Sequence, residues 1–272
     1  MSTTATATTG ALNQPKHIWL RDEVKPNEQR TALTPHSVQQ LIRAGFQVTV
    51  ERSTTRIFPD AQYACIDGVR MVPSNHWIEH APDAQSLPHT LVIGLKEVAT
   101  RKESPFLHQQ QQHQHSPSSP NTQSMFPIAQ RHILFAHCFK GQSQWRENIQ
   151  RFSNANGEIL DLEFLNWDNG RRVAAFGVAA GYAGMAVGLI TWARQQLALR
   201  DKCGQMTVQK LHPYHDKEQL IADIRSLLDQ VGKTPKVLVI GALGRCGKGS
   251  IDLAEAVGIN GDDLIRWDME ET

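Results

Sequence analysis

Cysteine is scarce in this chain, and neither sign of charge prevails. Four cysteines, Cys65, Cys138, Cys203 and Cys246, stand far apart and form no CxxC pair. That excludes a disulfide scaffold or a zinc site and fits a reducing compartment, with free thiols expected. A net charge of +1 excludes a general nucleic-acid binder or a polybasic membrane protein, so any electrostatic function has to be local. The stretch Met1 to Gly10 lacks a charged start followed by an apolar core, so it is not a secretory signal; a disordered tail over residues 1–15 is expected. Long runs rich in Leu and Ile are also missing. The nearest approach, Val173 to Ala193, carries no charge and has the length of a bilayer span, but Ala and Gly dominate it. Its glycines Gly177, Gly181, Gly184 and Gly188 recur at helical spacing. They predict a helix with a nearly bare face that packs closely against another element, and no membrane association.

The 272 residues leave room for two ordinary domains, and a β–α alternation appears early. His17 to Leu20 suits a strand. Thr34 reads as an N-cap with Pro35 at the first helical position; Val38, Leu41 and Ile42 form the apolar stripe, and Gly45 ends the helix. Further strands are predicted over Phe46 to Val50, Val69 to Val72, Leu91 to Leu95, Ile133 to Ala136 and Ile159 to Leu162. The fold class is therefore α/β, with two Rossmann-like domains built on mostly parallel sheets, the second incomplete. The divisions are a first domain over 16–176 and, over 177–272, an interdomain helix with part of a second domain. Residues 102–125 form a low-complexity insertion around HQQQQHQHSPSSP that cannot supply a core. Its histidines are read as surface residues, and no metal is expected.

The second domain offers the clearest motif. KVLVIGALGRCGKG, Lys236 to Gly249, reads as strand, glycine turn and helix start, with Gly241, Gly244 and Gly247 in a GxxGxxG pattern. Such glycines permit a tight turn and close approach of a pyrophosphate to backbone N–H groups at the helix start. Leu264 to Trp267 is the next strand, and Asp268 at its end is placed to accept hydrogen bonds from a ribose diol. That order favours NAD over NADP, because a carboxylate repels a 2′-phosphate. In the first domain, polar residues gather just after the strands: Lys25 and Arg30, then Lys96, His137 and Lys140, then Glu163, Arg171 and Arg172. Parallel strands would bring all of them to one edge, as a basic cleft suited to a substrate with several carboxylates.

These motifs carry a resemblance. KPNEQRTALTP (Lys25 to Pro35) resembles the opening motif shared by the N-terminal domains of alanine dehydrogenase, transhydrogenase and saccharopine dehydrogenase. IGLKE, FAHCFK, LDLEFL, GRRVAAFG, IGALGRCGKG and WDMEET resemble the fungal-type, lysine-forming saccharopine dehydrogenase family, from about His17 to Thr272. The resemblance implies NAD-dependent oxidative cleavage of saccharopine to lysine and 2-oxoglutarate, the last step of lysine synthesis through aminoadipate. It implies Lys96 and His137 as the acid–base pair, with Glu97 and Glu163 tuning the charge of the site. Arg30 and Arg172 would hold substrate carboxylates, with Lys25 and Lys140 nearby. Gly241, Gly244, Arg245 and Gly247 would carry the pyrophosphate, and Asp268 the adenosine ribose. The partners expected are these small molecules, with no nucleic acid and no membrane, for a monomer in the cytoplasm; a peroxisomal address is the alternative had a C-terminal signal been lost. Departures from the family pattern are the Gln/His-rich insertion and an end at Thr272, after which the family continues for roughly another hundred residues, about one domain. A fragment that is inactive or unstable alone is therefore expected. The competing readings are another amino-acid dehydrogenase such as alanine dehydrogenase, which FAHCFK and LDLEFL disfavour, and a non-catalytic nucleotide- or partner-binding module.

Overall fold

The computed structural model describes residues 16–86, 89–99, 127–200 and 210–269. The tail over 1–15 and the insertion over 102–125 lie outside the described residues. The chain divides into two compact units, Met1–Ala174 and Ala175–Thr272.

In the first unit six strands form one sheet: β1 (His17–Leu20), β2 (Gln47–Glu51), β3 (Val69–Val72), β4 (Thr90–Ile93), β5 (Arg131–Leu134) and β6 (Glu158–Asp161). Their order is β3-β2-β1-β4-β5-β6, and every neighbouring pair is parallel. This is a doubly wound, Rossmann-like sheet. The chain moves outward from β1 to β3 and then returns to the other side of β1, so the crevice beyond the carboxyl ends of β1 and β4 is the topological switch point. The central β1 is covered on both faces, which is why Ile18, Trp19 and Leu20 are consecutive and apolar. Trp19, Val92 and Leu134 join Trp77 and Phe152 in one core, and Leu20, Val48 and Val50 join Val38 and Tyr63 in the other.

Helix α1 (Pro35–Arg43) begins as the sequence predicts, with the Thr34 hydroxyl accepting from the Ser37 amide at 3.1 Å. Gly45 follows it at φ +86°, where a Cβ would be strained. The unit also contains α2 (Asp60–Ala64), α3 (Trp77–His80) and α4 (Trp145–Ser153). The buried Glu51 accepts from the Trp19 indole at 3.1 Å and from the amides of Asp22, Asn75 and Trp77 at 2.7–3.0 Å, tying the exits of β1, β2 and β3 together.

Three strands end earlier than expected. Strands β4, β5 and β6 stop at Ile93, Leu134 and Asp161, although apolar residues continue past each. Side-chain carboxylates take over the backbone donors there: Glu23 accepts from the Leu95 and Lys96 amides, and Asp161 from Ala136 and Glu163. Lys96 and His137 consequently stand in loops three positions beyond the strands, and Glu163 in a short 3-10 turn.

The second unit contains α5 (Val178–Arg200), α6 (Lys217–Val231), β7 (Val237–Ile240), α7 (Arg245–Ala256) and β8 (Leu264–Trp267). Strands β7 and β8 pair in parallel, and Leu189, Ile190, Ile224, Leu253, Ala254 and Ile259 fill the core beside them. The glycine face of α5 needs correction. Gly177 precedes the helix, and a Cβ on Gly177, Gly184 or Gly188 would meet nothing within 4 Å. Only Gly181 is in close contact: its Cβ would lie 1.8 Å from the Cys246 carbonyl oxygen of α7. From the other side, a Cβ on Gly249 would lie 1.9 Å from the Val178 carbonyl oxygen. The two helices cross backbone to backbone at that pair. Among the described residues, no helix is long and apolar enough to cross a membrane.

Candidate functional site

Four strand exits of the first unit build one polar edge. From β1 come Lys25, Glu28 and Arg30; from β4, Lys96 and Glu97; from β5, His137 and Lys140; from β6, Glu163, with Arg172 brought beside it by an antiparallel bridge between Asn166 and Arg172. Lys25, Arg30, Lys96, His137, Lys140 and Arg172 each meet a carboxylate, whereas Arg171 is exposed and its amide donates to the Asn169 side chain at 3.0 Å. Lys25 donates directly to Oε1 of Glu97, whose other oxygen lies 3.1 Å from Nδ1 of His137. Lys96 Nζ is 3.8 Å from Glu28, which Arg30 grips with two guanidinium nitrogens at 2.8 and 2.5 Å. Lys140 and Arg172 share Glu163 at 2.7 and 3.4 Å. Within these pairs five full cations face three carboxylates, an excess of positive charge that suits an anionic ligand.

His137 sits at φ +51°, a left-handed conformation that a non-glycine residue keeps only when its surroundings hold it there. The carboxylate of Glu97 at Nδ1 makes that nitrogen the protonated one in the neutral ring, so Nε2 carries the lone pair. Burial works against ionisation of Glu97, but hydrogen bonds from Lys25, its own backbone and His137 hold its carboxyl below the ordinary range. Lys140 first, then Arg172, lowers Glu163 likewise. Burial pushes the Cys138 thiol up to about 11, with Asp161 and Glu97 adding to it, so this cysteine stays protonated.

The direction of the Glu97 shift predicts a pH dependence. The stabilisation from its ionised form is complete above the ordinary value of 4.5 and fades as pH falls through the depressed value. Glu97→Gln should therefore reduce the loss of thermal stability between about pH 6 and pH 3. A melting-temperature slope identical to the wild type over that range would contradict the assignment.

Sequence reasoning missed Glu23, Glu28, Arg21 and Asp161. The dense charge of RDEVKPNEQR was a signal, but it marked a region and not the pairing.

In the second unit, Gly241 turns the chain at φ +77° directly after β7, and Gly244 is the N-cap of α7. A Cβ on Gly247 would lie 2.1 Å from the Gly241 carbonyl oxygen, so this glycine keeps the helix start against the turn. Arg245 is the first helical residue and is exposed. The amides of the first helical turn have no acceptor within the helix. Asp268 accepts from the amides of Leu243 at 2.8 Å and Met269 at 2.9 Å, and these two bonds hold its carboxyl below the ordinary range. A cleft of 330 Å³ opens beside it, lined by Ala242, Leu243, Lys248, Asp252, Arg266 and Asp268. That volume lies at the small end of ligand sites. The glycine cradle, the helix start and the carboxylate fit a dinucleotide.

Comparison with known proteins gives concordant findings. The family described as alanine dehydrogenase/PNT, N-terminal domain, matches residues 19–183. The curated protein "Saccharopine dehydrogenase [NAD(+), L-lysine-forming]" of Emericella nidulans is 43% identical over 94% of this chain and 60% of its own length. Proteins of the same name from Schizosaccharomyces pombe and Yarrowia lipolytica are 41% and 40% identical over 94% and 96% of this chain. The chain spans 60–63% of the length of these three relatives. Among solved structures, an L-alanine dehydrogenase matches with a TM-score of 0.50 at 18% identity, over 93% of this chain and 60% of that one. This last likeness shows the fold alone.

Proposed function

Because the chain belongs to the alanine dehydrogenase/PNT N-terminal domain family, we propose that it carries the chemistry its fungal relatives are named for: NAD-dependent cleavage of saccharopine to lysine and 2-oxoglutarate, in lysine biosynthesis. The observation that carries this reading is the Lys25–Glu97–His137 chain beside Lys96, on the cation-rich edge at the switch point of the sheet.

Saccharopine joins the side-chain nitrogen of lysine to the α-carbon of a glutarate unit through a secondary amine. Arg30, Arg172 and Lys140 bind its carboxylates, with Glu28 and Glu163 orienting these cations before substrate arrives. Once its ammonium has passed a proton to solvent, Lys96 accepts the proton of the secondary amine through the free amine. When bound, NAD would supply the hydride acceptor for oxidation of the carbon–nitrogen bond to an imine. His137 takes a proton from water through Nε2 as the water oxygen bonds to the imine carbon. His137 returns that proton to the nitrogen; the hydroxyl then gives up its remaining proton to the nitrogen as the carbon–nitrogen bond breaks, releasing lysine and leaving the oxygen in 2-oxoglutarate. Glu97 holds the His137 ring and compensates the charge it gains. Gly241, Gly244, Arg245 and Gly247 would hold the pyrophosphate, and Asp268 the ribose, with NAD preferred over NADP. The first unit is thus the substrate domain and the second the nucleotide domain of a monomer that works in the cytoplasm. There the free thiols of Cys65, Cys138 and Cys246 stay reduced.

The test is NADH consumption, followed by absorbance, by the chain extended to the length of its fungal relatives, with lysine plus 2-oxoglutarate and in parallel with ammonia plus pyruvate. Turnover with the first pair alone is expected. Turnover with the second pair alone would move the assignment to an alanine dehydrogenase, and no turnover with either by folded protein would remove the catalytic reading.

A further inference from the structure

Lys96 stands three positions past the end of β4, where no strand ladder fixes its backbone. Two buried side chains from the exit of β1 hold it. The Glu23 carboxylate accepts the Leu95 amide at 2.5 Å on one oxygen and the Lys96 amide at 3.2 Å on the other. The Arg21 guanidinium donates to the Lys96 carbonyl and, at 3.2 Å, to that of Asp22. Arg21 and Glu23 lie 3.6 Å apart, with 3% and 6% of their side chains exposed. Beside them, the Gly94 amide donates to Ile133 and the Phe135 amide to the Leu95 carbonyl, each at 3.0 Å. The backbone that presents Lys96 and Glu97 is therefore held from both sides.

Stability alone is a poor reason for such a pair. Apolar residues of similar volume hold two strands as well as a buried ion pair does, without its desolvation cost. Here Arg21 Nε is in addition buried without a hydrogen-bond partner among the described residues. The pair specifies the path of a loop in a way that non-directional apolar contact does not. Gly94 fits the same logic: a Cβ there would lie 2.4 Å from Arg21 Nε, so the guanidinium occupies the space that a side chain would fill.

We propose that Arg21 and Glu23 form a clamp that positions Lys96 and Glu97 for the acid–base step, with Gly94 as the vacancy the clamp requires. This inference rests on the functional reading above. Arg21 and Glu23 do not touch substrate; they act through the loop, as positioning residues.

Gly94→Ala and Glu23→Gln test it. The added methyl of the first meets the buried guanidinium rather than backbone, so it drives the guanidinium off the Lys96 carbonyl at a cost in stability. In the second, an amide donor replaces one acceptor facing two amides. Both variants should lower kcat for NADH-dependent condensation of lysine with 2-oxoglutarate by roughly tenfold to a hundredfold, with KM for 2-oxoglutarate within about threefold. Arg21→Lys, which keeps the charge and loses the planar fork, should behave like Gly94→Ala and should add little to it in the double variant. A second readout needs no catalysis: brief labelling with acetic anhydride, quantified by mass spectrometry, as the ratio of Lys96 to the exposed Lys236. That ratio should change several-fold in each variant. If folded Gly94→Ala and Glu23→Gln keep both the wild-type kcat and the wild-type labelling ratio, or lose only melting temperature, the clamp is structural and the proposal falls. A raised KM at unchanged kcat overturns it as well. If the wild type, extended to the length of its fungal relatives, consumes no NADH, the functional reading fails, and the labelling ratio decides the clamp by itself.

Discussion

Replacing Lys96 with methionine should lower kcat for the condensation of lysine with 2-oxoglutarate by about two to four orders of magnitude, the span of a general acid–base group. Methionine keeps the length of the stem and removes only the ammonium. Stability should hardly change. Lys96 is a third exposed and its carboxylate partner Glu28 is 3.8 Å away, a pair of the kind that contributes about 1 kcal/mol or less. His137→Gln should show a comparable loss, since it removes the ring that Glu97 orients at 3.1 Å. The two losses should not add in the double variant, because groups that share a reaction act as a unit. Near-wild-type kcat in Lys96→Met, with the protein folded, would reassign the acid–base role to Lys25 or Lys140 on the same edge.

The second large effect is on folding. Gly181→Ala puts a methyl carbon 1.8 Å from the Cys246 carbonyl oxygen, and Gly249→Ala puts one 1.9 Å from that of Val178. Neither obstacle is a side chain that can rotate away; each is the backbone of the crossing helix. Separating α5 from α7 would also break the bond from the Ser250 hydroxyl to the Gly181 carbonyl, 3.0 Å long. A destabilisation of about 3 kcal/mol or more is expected, beyond ordinary overpacking. Gly184→Ala, three positions along the same helix, should have the opposite sign. A Cβ there meets nothing within 4 Å, and alanine gains up to about 1 kcal/mol of helix propensity over glycine. Urea unfolding of the three variants, followed by circular dichroism, checks this. Equal midpoints for the Gly181 and Gly184 variants would mean that the helices do not cross as described.

That contrast shows what a spacing rule can and cannot deliver. Glycines at helical intervals correctly predict a helix, although Gly177 precedes it. They do not say which glycine faces a neighbour, because that depends on where α7 crosses. The strand ends follow the same pattern. Apolar residues run on past Ile93, Leu134 and Asp161, and hydrophobic periodicity cannot register that Glu23 and Asp161 will take the next amides. The site residues were legible as types after strands. Glu23 and Arg21 were invisible as contributors, since nothing local distinguishes a buried charged pair from a solvated one.

What the sequence determined by itself is whatever short-range physics encodes. The Thr34 cap with Pro35 behind it is one case. The consecutive apolar residues of the central strand are another, and the glycine turn between β7 and α7 a third. Together with the alternation of strand and helix they specify a parallel, doubly wound sheet. The tertiary structure alone decided which charges meet. Lys25 reaches Glu97 across 72 positions and Arg21 reaches Lys96 across 75, because β1 and β4 become neighbours only when the chain crosses back over the sheet. Partners made that way are set by strand order and core packing, and no periodicity along the chain records them.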